Sequence, residues 1–204
     1  MVHVYEKLQA VEFDRLPGRV QKAYLAPPVL SAPVAPLGEG FQLSLPTSLD
    51  LPAPRALVPK LGIKSWRDAG ALGVIYEGVN IREVVERLLK CPTRPQRLAA
   101  RAWLETGLPL RLHLSPYVDY SEVSEVRFLA NPRECRRLSS CLRGQSAQSF
   151  AAALPQLTAF AEELATHLPQ RSHLLEIAYL SPGEFWLVEV NPGLTPQDLA
   201  ILER

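Results

Sequence analysis

What this chain of 204 residues lacks narrows its chemistry first. Its three cysteines, Cys91, Cys135 and Cys141, form an odd set without CxxC spacing, and its four histidines form no HxxxH pair. That pattern argues against a disulfide framework and against a thiolate or imidazole zinc site. Lysine is scarce beside arginine. Charge of both signs nearly cancels at a formal net +1, so no basic excess marks a reader of nucleic-acid phosphates. No uninterrupted apolar run reaches membrane-spanning length, and MVHVYEKLQAVEFDR has no basic flank, apolar stretch and cleavage site in series. The expectation is a soluble, cytoplasmic protein without nucleic-acid or membrane partners. Its length suits one domain, or one domain plus a small lobe.

Proline is plentiful, and it is unevenly placed. Eight of the nineteen prolines lie between Pro27 and Pro59. Proline fixes φ and removes a donor, so this stretch reads as an extended surface connector with short strands at most, never a long helix or an inner strand. Downstream, VNIREVVERLLK opens with Asn80, carries Glu83 three residues on, and spaces Ile81, Val84, Val85, Leu88 and Leu89 at helical intervals. It predicts a capped amphipathic helix. PQRLAARAWLE reads as a further helical segment. LRLHLSPYVDY and SEVRFLA alternate like strands, and FAAALPQLTAFAEELATHL reads as a helix broken or restarted at Pro155. SHLLEIAYL and EFWLVEV close the chain as two strands around SPG. The mixed order with an antiparallel pair at the end predicts an α+β fold.

That last pair carries the chemistry. In a strand, residues two apart share a face, so Glu189 and Asn191 look at one spot. A hairpin loop of even length centred on Pro182 and Gly183 sets Ser181 against Glu184, Tyr179 against Trp186, and Glu176 against Glu189. Like charges opposed in that way destabilise a sheet. A divalent cation reverses the sign, and hard Mg²⁺ takes carboxylate and amide oxygens. At this level the spacing admits both a solvated polar face and a cation site made by Glu176, Glu189 and Asn191. NPRECRRLSSCLRG, with Arg133, Arg136, Arg137 and Arg143, likewise reads either as an anion-binding surface or as a solvated basic loop. Trp66, Trp103 and Trp186 read as core anchors.

Three motifs in one order, VPKLGIKSWRDA, SEVRFLA and LLEIAYLSPGEFWLVEVNPG, resemble the cell division cycle 123 (D123) family of the ATP-grasp superfamily. The resemblance covers roughly the last seven tenths of the chain, from Leu57 to Leu202. It implies an ATP-grasp-like fold of two small lobes, each with a mainly antiparallel sheet and helices, and nucleotide in the cleft between them. Residues 1–56 would be the proline-rich, partly extended region, either separate or part of the first lobe, 57–109 the first lobe, and 110–204 the C-terminal lobe with the metal-binding strands. ATP and Mg²⁺ are the implied cofactors. Lys60 and Arg127 would meet the phosphates with Arg67 close to them, and Tyr117, Val118 and Asp119 would line the adenosine pocket. Glu176, Glu189 and Asn191 would hold Mg²⁺. Two departures stand out: both carboxylates are Glu where the family carries Asp, and Ser115 and Pro116 replace basic residues before Tyr117.

Two activities follow from that resemblance. The chain would be a nucleotide-dependent binding or assembly factor with a protein client, as the eukaryotic members are chaperones in assembling a translation initiation factor. Alternatively, it would be a carboxylate-amine ligase that makes an acyl phosphate for a small-molecule or peptide acceptor.

Overall fold

The structure, a computed structural model, describes residues 2–36, 43–62, 64–65, 73–90, 106–107, 110–121, 123–131, 133–143, 145–169 and 171–202. Trp66, Arg67, Asp68, Ala69, Cys91, Trp103 and the segment PQRLAARAWLE lie outside the described residues. In chain order the elements are α1 (Val2–Gln9), α2 (Gly18–Lys22), β1 (Leu30–Pro36), β2 (Leu43–Ser44), β3 (Leu57–Leu61), β4 (Lys64–Ser65) and α3 (Ile81–Lys90). They continue with β5 (Leu110–Pro116), β6 (Ser124–Asn131), β7 (Glu134–Cys141), α4 (Ala147–His167), β8 (His173–Ser181), β9 (Glu184–Pro192) and α5 (Pro196–Leu202). Contacts divide the chain into two units. One comprises Met1–Glu12, Pro28–Tyr117 and Ile201–Arg204; the other comprises Phe13–Pro27 and Val118–Ala200.

The first unit holds an antiparallel sheet in the order β2-β1-β5-β3-β4. Its strands tolerate proline because each proline meets the ladder on one side only. β5 pairs with Leu30 to Val34 of β1, and β2 pairs with Ala35 and Pro36, so β1 lies inside the sheet order, where the sequence excluded an inner strand, yet among the described residues each of its positions is paired on one side only. Leu57 exchanges both backbone hydrogen bonds with Ile75 at 2.8 Å, away from β5. By alternation Pro59 points the same way, and its missing N–H removes no bond to β5. At seven residues β1 is longer than the short strands expected of this region.

Leu110 to Pro116, grouped with the C-terminal segment by chain position, pairs instead at the centre of this sheet. Its partners lie far upstream, and pairing of that kind is invisible to a local pattern. Leu112 and Leu114 then face a core shared with Leu57, Leu61, Ile75 and the apolar stripe of α3, namely Ile81, Val84, Val85 and Leu88. The helix starts as its sequence requires, with Asn80 Oδ1 accepting from the Glu83 N–H at 3.2 Å. Arg82 ties it to the proline-rich segment by pairing with Asp50 and donating to the Pro46 carbonyl at 2.7 Å.

The second unit is an antiparallel sheet in the order β7-β6-β8-β9, with α4 on one face. Phe150, Ala153, Leu157, Ala161 and Leu164 of α4 are buried, as are Val126, Phe128, Leu175, Ile177, Tyr179, Leu187 and Val190 of the sheet. α4 is capped by Ser146, whose hydroxyl accepts from the Ser149 N–H at 3.0 Å. It runs unbroken through Pro155, where the sequence suggested a break. Pro155 lies on the exposed side of α4, where water can take the carbonyl that proline leaves without a donor. The buried stripe on either side holds the helix together. The arginine-rich segment is the edge strand β7 rather than a loop. Its side chains are almost all exposed, so the apolar alternation that marks other strands is missing.

Truncation separates the two kinds of support in the first unit. Leu112→Ala, at a side chain 1% exposed, should lower unfolding stability by about 2–5 kcal/mol. Asn80→Ala should cost about 1 kcal/mol through the lost helix cap. Urea denaturation followed by circular dichroism measures both, and equal effects would contradict this division of roles.

A candidate metal centre on adjacent strands

The β8–β9 hairpin has one register at its two ends and another in the middle. Ser181 opposes Glu184, and Glu176 opposes Glu189, as an even loop around Pro182 and Gly183 requires. Between them Tyr179 opposes Phe185, Ala178 opposes Trp186, and Ile177 opposes Leu187. Leu180 is the extra residue on β8 and Val188 the extra residue on β9, so two compensating bulges shift the register by one and shift it back. The expected Tyr179–Trp186 opposition is therefore incorrect.

This shift decides what shares a face with the carboxylates. Regular alternation would have put Leu187 and Phe185 on the side of Glu189. The bulge turns Leu187 into the core and Phe185 against Phe160 and Tyr179, with ring centroids 6.2 and 6.0 Å away. Trp186, read from the sequence as a core anchor, is instead half-buried on the carboxylate side of the sheet beside Ala178.

On that side the cross-strand row runs Ser139, Arg127, Glu176, Glu189. Arg127 Nε lies 3.2 Å from Glu176 Oε1, with the arginine 48% exposed and the glutamate 14%. Asn191 donates from Nδ2 to Glu189 Oε2 at 3.0 Å. A guanidinium on one flank and an amide on the other thus bracket the two opposed carboxylates. Among the described residues, no three or more of His, Cys, Asp and Glu cluster in a way that could hold a metal. A cation here would take two carboxylates and the oxygen of an amide, a hard donor set that suits Mg²⁺ when phosphate and water complete the shell.

The turn after β9 is also constrained. Gly193 donates its N–H to the Ser172 carbonyl at 2.8 Å, and a Cβ at that position would stand 2.7 Å from Ser172 backbone and side-chain atoms. The NPG sequence therefore fixes the chain just beyond Asn191. His173, at the start of β8, is 1% exposed and faces the α4 side, opposite Glu176. Its Nε2 lies 3.1 Å from the Pro169 carbonyl and its Nδ1 has no partner among the described residues. Burial holds its pKa below the ordinary value, against the effect of the Pro169 hydrogen bond.

The sequence reading gave no role to Tyr24, which forms a parallel bridge with Leu187 at the outer edge of β9. Burial, and then the charge of Glu189, push its phenol well above the usual range, against a hydrogen bond with the Val190 backbone. Nothing in QKAYLAPP signals that position.

The remaining residues singled out by sequence fall as follows. In the first unit Lys60 is half-buried on β3, cross-strand from Ser65 and from His113. His113 is itself buried, with Nδ1 2.7 Å from Ser31 Oγ. Tyr117 is exposed and donates its N–H to the Ala56 carbonyl at 2.9 Å. Val118 and Asp119 belong to the other unit. The Asp119 carboxylate accepts the Ser121 N–H at 2.9 Å, and that bond lowers its pKa. Arg67 lies outside the described residues.

Neither a protein-family profile nor a curated protein sequence matches the chain. Solved structures do. Cdc123 from Schizosaccharomyces pombe is similar over 92% of this chain and 85% of its own, with a TM-score of 0.59 at 15% identity. A C-terminally truncated form of that protein gives 0.58 over the same shares. A weaker likeness, with a TM-score of 0.45 at 13% identity over 94% of this chain and 45% of the other, is to an L-amino acid ligase from Bacillus licheniformis. The chain therefore has the fold of Cdc123, an α+β fold with two antiparallel sheets and helices, as the sequence motifs led one to expect. No helix among the described residues is long and apolar enough to cross a membrane.

The buried His173 gives a pH dependence of definite sign. Its folded-state pKa lies below the unfolded one, so the unfolded chain takes up the proton first. Stability should fall as pH drops below about 6.5, the usual histidine value. Thermal midpoints at pH 7.5 and 5.5 should therefore differ more for the wild type than for His173→Asn.

Proposed function

We propose that this chain is a Mg²⁺-dependent ATP-binding protein of the D123 type that works as a nucleotide-dependent binding or assembly factor for a protein client. One observation carries the reading. Glu176 and Glu189 are opposed across two strands with Asn191 on the same face, a juxtaposition of like charges and an amide that a divalent cation would favour.

In this reading Glu176, Glu189 and Asn191 hold Mg²⁺. Bound there, Mg²⁺ would supply charge neutralisation for the two carboxylates and for phosphate oxygens. Arg127 has two roles. It offsets the charge of Glu176, and its half-exposed planar fork would also suit a phosphate. Lys60 and Arg67 provide further cationic contacts to the phosphates. Tyr117, Val118 and Asp119 border the adenosine, with Asp119 already held in its local turn.

Calorimetric titration of ATP with and without Mg²⁺ tests the assignment. Glu189→Gln combined with Asn191→Ala should abolish the magnesium-dependent part of the affinity while the circular dichroism spectrum stays the same. Unchanged binding would remove the metal site. Lys60→Ala should weaken ATP binding roughly ten- to a hundred-fold, the worth of a charge-assisted hydrogen bond. Without ligand, Glu189→Gln should raise the thermal midpoint, because the repulsion opposite Glu176 is gone. An ADP-release assay with protein and small-molecule fractions separates the activities. Turnover only with a small-molecule fraction would replace the assembly factor by a carboxylate-amine ligase.

A further inference from the structure

The segment before Tyr24 is anchored more firmly than a connector requires. Val20 of α2 is fully buried. The Gln21 side chain donates to the carbonyls of Phe13 and Leu16 at 3.0 and 2.9 Å. Arg19 pairs with Glu163 on α4 at 2.6 Å. The Tyr24 ring meets Phe13 edge-on, with centroids 5.2 Å apart.

These anchors deliver Ala23 to Leu25 onto the open edge of β9. Leu187 donates to the Ala23 carbonyl at 2.7 Å, and Leu25 donates to the Leu187 carbonyl at 2.8 Å. Leu187 is the last residue before the Val188 bulge, so the segment grips β9 where its alternation changes. An extra residue in one strand reverses which of the following N–H groups face outward. Beyond the bulge, Val190 therefore turns its backbone to the edge, between Glu189 and Asn191.

We propose that Tyr24 is a positioning residue for the metal-binding edge of β9, holding Glu189 and Asn191 in place through the backbone of Val190. The proposal rests on the reading of Glu176, Glu189 and Asn191 as Mg²⁺ ligands. Tyr24 bridges the edge of β9 at Leu187, and, besides burial, the charge of Glu189 raises the pKa of its phenol while the backbone of Val190 lowers it. Its ring packs edge-on against Phe13. Partners of this kind, one step removed from an ion, orient its ligands and strengthen its binding. The N-terminal segment, which the family motifs do not cover, thereby becomes part of the site.

Tyr24→Phe in the full chain keeps the ring and removes the hydroxyl. At fixed ATP, the Mg²⁺ concentration giving half-maximal binding should rise roughly ten-fold. Amide hydrogen exchange at Val190, measured without metal or nucleotide, should also quicken. A purely packing role would change the thermal midpoint without changing the magnesium requirement. If the wild type binds ATP with Mg²⁺ dependence and Tyr24→Phe keeps the same requirement, the positioning role is overturned and the function stands. If the wild type shows no Mg²⁺ dependence, the proposed function itself fails, whatever the variant does. Unchanged Val190 exchange in the variant refutes the backbone contact independently of any ligand.

Discussion

The opposition of Glu176 and Glu189 across β8 and β9 is the constraint around which the second unit is arranged. Two carboxylates on facing strands repel, and a sheet pairs them stably only when something nearby offsets the charge. Arg127 does so from β6 and the Asn191 amide does so from β9. Both come from the same face of the same sheet. The folded chain therefore tolerates the pair, with Glu176, Glu189 and Asn191 on one face of the sheet.

Holding that place is the work of the other face. α4 covers it with a stripe of Phe, Leu and Ala, against which Leu175, Ile177 and Val190 are buried. A regular β9 would have to put Leu187 and Phe185 beside the acids, or turn the acids toward the helix. The bulges at Leu180 and Val188 remove the conflict by changing the alternation between the hairpin loop and the carboxylates. Gly193 then closes the segment at a distance from Ser172 that no side chain would allow. On the outer edge, the Tyr24 segment supplies the backbone partners that β9 would otherwise lack.

The first unit meets a different difficulty, a sheet built from proline-rich sequence. Its solution is positional. Among the described residues, the strand prolines are each paired on one side only, and β5, whose single proline is its last residue, Pro116, takes the central place with partners on both sides. Leu112 and Leu114 then bury against α3, while His113 and Lys60 share the opposite face of the sheet.

Local pattern carried a good deal of this protein. The cap and apolar stripe of α3, the presence of the β8–β9 hairpin and the opposition of Glu176 to Glu189 were all legible, because each depends on residues a few positions apart or on one turn. Ordered motifs went further and pointed to the fold that the Cdc123 structures share. Tertiary packing decided the rest. Pro155 stays inside a helix because the neighbouring apolar stripe is buried, and Leu110 to Pro116 leaves its chain neighbours for partners far upstream. The arginine-rich β7 is a strand because β6 pairs with it, not because its own residues favour one. The paired bulges and the approach of Tyr24 to β9 depend on which side chains fit beneath α4 and on a segment more than a hundred and sixty residues away in the chain. Periodicity reports only what a residue's chain neighbours demand, and these choices were made by neighbours in space.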